Sequence, residues 1–307
     1  MTRTELESRQ NPGGLFAIED ASRSTGSRFY VDSGSATGAD AAGYGLSPDA
    51  PFLTLDYAIA SCAENNGDII YVMPGHAETT TAIALDVAGI KIIGLGWGRS
   101  RPTFTATTGA SNLVNVTVAN VWIENLRFVG AASGVLALLA NSSAGTDLVV
   151  LGCSFEHGAT PLLACAMSGS RFRFQGCTWL GTANGPDAAI DLQAHLKDWV
   201  VSDCQFLYGS YGLDLAVISS LVDAQEGYLI ENVRVVGIDT LLVNIASSTA
   251  APPDGFFASG DVMASAPVSS TEVIVAAATS KGMAFGRVFA VDAVAVSGVR
   301  VPLVTAS

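Results

Sequence analysis

Basic residues are scarce. Lys and Arg number 15 against 28 Asp and Glu in 307 residues, a net charge of −13. Binding a nucleic-acid backbone needs clustered cations, so that class of function is excluded. No run of about 18 apolar residues occurs, so no membrane-spanning helix is expected. The opening Met1-Thr2-Arg3-Thr4-Glu5-Leu6-Glu7 lacks the apolar core of a signal peptide, which sets the expectation of a chain made in the cytosol. The five cysteines, Cys62, Cys153, Cys165, Cys177 and Cys204, match no zinc spacing and are expected as buried, reduced thiols. No Gly-x-Ser-x-Gly, phosphate-binding loop or dinucleotide fingerprint is present, so neither cofactor nor metal is expected. Charged residues make up 14% of the chain and hydrophobic ones 49%, ample for a large core.

An eight-position pattern returns six times: apolar, x, apolar, x, then Gly, Asn or Asp, then apolar, x, bulky apolar. The copies are Ile90 to Trp97, Val121 to Phe128, Leu148 to Phe155, Phe172 to Trp179, Trp199 to Phe206 and Tyr228 to Val235. Their fifth positions, Gly94, Asn125, Gly152, Gly176, Asp203 and Asn232, lie 31, 27, 24, 27 and 29 residues apart. These residue types tolerate a left-handed backbone. Strand residues alternate faces, so one left-handed residue lets the apolar pairs on both sides point inward. That is a corner between two short strands, and the spacing leaves room for three strands per turn. Units that cannot bury a face singly must stack. The pattern predicts an all-β, right-handed, single-stranded parallel β-helix, the hand following the rule for parallel crossovers. Trp97, Phe128, Phe155, Trp179 and Phe206 are expected to stack in its core, with Cys153, Cys177 and Cys204 as an inner ladder. Trp122, Tyr208 and Tyr211 are expected at outward or loop positions.

A second in-out-in register is read at Val114-Asn115-Val116, Leu136-Ala137-Leu138, Leu163-Ala164-Cys165, Ile190-Asp191-Leu192, Leu213-Asp214-Leu215 and Val243-Asn244-Ile245. At the start, Leu55, Ala58, Ile59 and Cys62 follow helical spacing with Thr54 as N-cap. A short helix near 54–64 would cover the open end of the coil. The chain divides into an N-terminal arm over 1–28, the β-helix over 29–250, and a β-rich closing or oligomerisation segment over 251–307.

The stretches Phe29-Tyr30-Val31-Asp32-Ser33-Gly34, Pro51 to Ile59, Gly67 to Thr79, Asp86 to Gly96 and Arg101 to Phe104 resemble the opening of right-handed β-helix proteins carried by tailed bacteriophages and prophages. The resemblance covers residues 29–130 and continues beyond only as a pattern. It implies a virion structural protein, foremost a decoration or cementing protein on the head surface. The partners it implies are the major capsid protein or other virion proteins, and a homotrimer by analogy. The alternative is a tailspike or receptor-binding β-helix that binds or acts on a host surface glycan.

Chemistry is sparse. Asp191 and Asp214 are read as occupying the same outward position on adjacent turns, a spacing that would suit a carboxylate pair or a calcium site. Their neighbours in other turns bring no Arg or Lys. His157-Gly158 is similar to one fragment of the polygalacturonase pattern, whose companion fragments are absent. His76 and His195 stand in no nucleophile motif. The resulting expectation is a chain that is not an enzyme, with no catalytic residue assigned.

Overall fold

Alternating residues, interrupted once per corner, wind the chain into a coil. The structure is a computed structural model. It describes residues 26–107, 111–131, 134–157, 163–181, 188–207, 216–220, 225–236 and 241–245, and the strands 254–256, 262–265, 274–276 and 288–290. The strands form three sheets of nine, nine and eight members. In the order the chain visits them, the first sheet contains Ile69–Val72 and Lys91–Gly94, the second Ala77–Thr80 and Thr103–Ala106, and the third Ile83–Leu85 and Val114–Val116. Each strand pairs in parallel with its counterpart one turn later, as in Trp122↔Val149↔Arg173↔Val200↔Leu229. This is the expected parallel β-helix.

The corners lie where the pattern puts them in five of six copies. Asn125, Gly152, Gly176, Asp203 and Asn232 have φ of 55°, 57°, 63°, 55° and 48°. The first copy differs. Gly94 ends the strand Lys91–Gly94 without a left-handed backbone, and the corner lengthens into residues 95–102 with a 3-10 turn at Gly98–Ser100. Glycine is needed at 94 for close approach, because a Cβ there would run into the Asn125 carbonyl. The Asn125 amide seals the longer corner by donating to the Gly94 and Gly96 carbonyls, both at 2.8 Å.

The lengthened corner shifts the aromatic column. Phe104, not Trp97, begins the stack, followed by Phe128, Phe155, Trp179 and Phe206 at centroid separations of 6.0, 5.4, 5.2 and 4.4 Å. Trp97 is 86% exposed, which corrects the expectation that it is a core ring. A second column runs through Phe172, Trp199 and Tyr228 at 5.6 and 4.8 Å. Offset stacking of this kind adds to the burial energy of each ring. Cys153, Cys177 and Cys204 are buried free thiols, and desolvation pushes Cys153 and Cys177 well above the ordinary thiol range.

The capping helix is Leu55–Ala60, with the Thr54 side chain accepting from the Tyr57 N–H. Asp40 braces the cap by accepting from Leu53 N at 2.8 Å and Thr54 Oγ1 at 2.9 Å. Leu55, Ala58 and Ile59 are buried against the coil. Most of the expected arm falls outside the described residues. Beyond Pro253, the strands Asp254–Phe256, Val262–Ser265, Ile274–Ala276 and Val288–Ala290 continue the same three sheets.

Candidate functional site

The third sheet departs from simple alternation. Leu138 and Leu139 both enter the core, as do Ala164 and Cys165, and Ala189 and Ile190. Two consecutive inward residues in each strand leave the flanking positions facing out, and a β-strand tolerates such a break as a local irregularity. Ala137 and Ala140, then Leu163 and Ala166, are therefore outward. They form a small apolar cluster of their own, separate from the core. Because three of the four are alanines, the outer face is hollow there.

The hollow is a trough of about 390 Å³ across the strands Val114–Val116, Ala137–Asn141 and Leu163–Met167. That volume is within the range of small-molecule sites. The alanines and Leu163 make the floor, and Leu136, 40% exposed, stands at its edge. The polar lining is neutral: Asn112, Asn115, Thr117, Asn141, Ser142 and Gln193. The Asn112 amide donates to Asn115 Oδ1 at 2.8 Å, which fixes the Asn115 amide and leaves its NH2 with no acceptor among the described residues. Asn141 does the opposite. Its Oδ1 accepts from Ser168 N at 2.7 Å and Gly169 N at 3.1 Å, and its Nδ2 donates to Gly145 O at 2.8 Å. That amide is used up inside the protein and stiffens the wall.

An apolar floor with amide and hydroxyl walls suits a ligand with a hydrocarbon face and many hydroxyls. Among the described residues no cation lines the trough to hold a phosphate or carboxylate. Equivalent positions on successive turns repeat at roughly 4.8 Å, close to the advance of one pyranose in an extended glycan. Asp191 follows Ala166 in the outward column and is the acid nearest in register.

The carboxylate pair is not formed by register. Asp191 pairs with Ser219, and Asp214 lies outside the described residues. The triplets at 114–116 and 190–192 keep the in-out-in order as read, whereas the strand positions that pair with them and with 243–245 are 139–141, 165–167 and 218–220. The reason is the apolar run Val135 to Ala140, in which Leu138 and Leu139 both enter the core and no alternation can be read.

The histidines do other work. His76 is buried, its Nδ1 accepting from Ser33 N at 3.0 Å and its Nε2 donating to Glu78 Oε2 at 3.2 Å. Glu78 Oε2 also accepts from Leu55 N at 3.0 Å. The pair clamps the capping helix and the start of the coil to the second sheet. His157 ends the strand Ser154–His157, opposite Gly130 and Gly181. His195 Nε2 lies 3.0 Å from Glu226 Oε1 on the surface, and Lys197 reaches the same carboxylate at 2.9 Å. Lys197 and then His195 hold the Glu226 carboxyl below its ordinary range. Trp122 is outward and half-buried, as expected, with Lys91 Nζ 4.9 Å from its ring centre and its Nε1 donating to Glu124 at 3.0 Å. Tyr208 and Tyr211 lie outside the described residues. Among the described residues no group of three or more His, Cys, Asp and Glu is placed to hold a metal.

No protein-family model matches this chain, and no curated protein matches its sequence. Among solved structures it is similar to a rhamnogalacturonan lyase, at 13% identity and a TM-score of 0.42, over 78% of this chain and 68% of that one. The expectation of a chain that is not an enzyme does not stand against this finding, because the matching chain is by name an enzyme. At that identity and score the likeness assigns this chain no reaction and no substrate.

Proposed function

We propose that this chain is a surface protein of a tailed-phage particle whose β-helix binds a neutral polysaccharide in the trough of the third sheet. The binding half of the reading is carried by one observation: an alanine-floored trough walled by neutral amides and hydroxyls. The particle setting is supported by the resemblance of residues 29–130. In that setting the partners are virion proteins such as the major capsid protein, with the head surface as the first location and the tail tip as the second. The test of binding is calorimetric titration of the full chain with dextran and other uncharged bacterial polysaccharides, with a polyuronate as the charged control. The Asn115→Leu/Gln193→Leu double variant is expected to bind at least about tenfold more weakly, because two hydrogen bonds at about 1 kcal/mol each are removed. Wild-type chain that binds no neutral polysaccharide in the panel refutes the reading. Sugar ends released by the wild type but not by Asp191→Asn would add a cleavage step at that carboxylate. Immunogold labelling of lysate particles tests the setting: label on heads or tails supports it, and unlabelled particles sink it.

A further inference from the structure

The first sheet turns a second face outward, and its character is different. Six strands from Lys91–Gly94 to Glu226–Glu231 run in continuous parallel pairing. Between them they present twelve outward positions in two columns. Half of those positions are apolar: Ile93, Trp122, Val149, Leu151, Val200 and Leu229, all only half-buried. The chain as a whole carries −13, yet this face sums to zero, with Lys91 and Arg173 against Glu124 and Glu231. An acidic protein repels its own copies over most of its surface. Here it does not.

The charges are also arranged for a partner of the same kind. At one end Lys91, Trp122 and Glu124 already engage one another. Arg173, which is exposed, and Glu231 make no ion pair among the described residues. They sit one turn either side of the Val200–Val201–Ser202 strand. A two-fold axis at that strand would bring Arg173 of one copy to Glu231 of the other, twice. It would also set Val200 against its own counterpart. Such an isologous contact needs a self-complementary patch, and an apolar centre with charge pairs at its rim is the usual anatomy of one.

We infer that two copies of this chain associate side by side through the outer face of the first sheet, about an axis near Val200. This departs from the threefold assembly that analogy suggests, because a self-complementary patch closes at two. The experiment is light scattering coupled to size exclusion, with sedimentation, on the full chain and four variants. Wild type is expected at twice the chain mass. Arg173→Glu and Glu231→Arg are each expected to weaken the dimer at least about tenfold, and the double exchange to restore it. Val200→Cys, in a Cys62→Ser background, is expected to cross-link the two copies on mild oxidation. Melting curves check that each variant keeps the coil. A monomeric wild type, a threefold mass, a dimer indifferent to Arg173→Glu, or single reversals that the double exchange fails to rescue would each overturn the inference.

Discussion

The corner at Asn125 lets two contributions to stability be separated by experiment. Its backbone is left-handed, at φ 55°, and its side chain makes two hydrogen bonds to the lengthened corner one turn earlier. Gly152 holds the same conformation, at φ 57°, and a Cβ built there meets no heavy atom within 4 Å. Gly152→Val therefore tests strain alone, about 1–2 kcal/mol for a β-branched residue forced left-handed. Asn125→Gly tests the hydrogen bonds alone, about 1–3 kcal/mol for the pair. Asn125→Val suffers both losses, so its cost should approach the sum of the other two, about 2–5 kcal/mol. Urea unfolding is the assay, followed by tryptophan fluorescence and far-UV circular dichroism. The two probes must coincide, because stacked repeats can unfold piecewise. A neutral Gly152→Val, or an Asn125→Val no worse than Asn125→Gly, would refute the assignment of these residues as strained corners.

Two further outcomes follow from burial and charge. Trp97→Ala is expected to change stability by less than about 0.5 kcal/mol, and Trp179→Ala to cost about 3–5 kcal/mol; equal losses in thermal or urea melts would count against the shifted aromatic column. Arg171 hydrogen-bonds Asp147 and holds its carboxyl below the ordinary range. The stability this adds is present above the unfolded carboxyl value, about 3.9, and is lost as pH falls through the lower folded one. The melting difference between wild type and Arg171→Ala should thus be flat near neutrality and shrink in acid, by a small amount because the pair is exposed. A difference independent of pH down to about 2 would show that the pair does not couple to folding.

Much of the coil was legible because its rule is local. Two residues per turn go left-handed, one on each side of the first-sheet strand. The later one is confined to the few residue types that do so cheaply, which marks Asn125, Gly152, Gly176, Asp203 and Asn232, whereas the earlier one, at Asn120, Asp147, Arg171 and Asp198, includes an arginine and carries no such mark. Gly94 satisfied the same composition for a different reason, close approach of a neighbouring carbonyl, and composition does not distinguish the two demands. Trp97 inherited that error, since its inward position depended on a corner that lies elsewhere. The third sheet is illegible where two neighbouring residues both enter the core: a run such as Leu136-Ala137-Leu138-Leu139-Ala140 has no period, and the pairing of Asp191 with Ser219 instead of an acid follows from the shifted register. The signal for the trough was present in that same run. A strand that is apolar at every position has something to bury on its outer side.

The outer faces of the first and third sheets differ by a backbone detail. In the first sheet the strands from Lys91–Gly94 to Glu226–Glu231 stay in register from turn to turn, so their outward side chains line up in two columns. A charge-balanced surface of this kind suits its own copy. In the third sheet two consecutive residues enter the core in the strands Ala137–Asn141, Leu163–Met167 and Ala188–Leu192, and the outward positions that remain there are filled largely by alanine. The surface sinks, and the amides of Asn112, Asn115 and Gln193 stand over an apolar floor. A recess of about 390 Å³ is of small-molecule size, and the proposed occupant is a sugar chain. The two surfaces face away on different sides of the coil, so pairing through the first sheet leaves the trough open. Dimerisation would then give two parallel or antiparallel binding sites on one rigid body, and a polysaccharide long enough to reach both would bind with an avidity neither trough has alone.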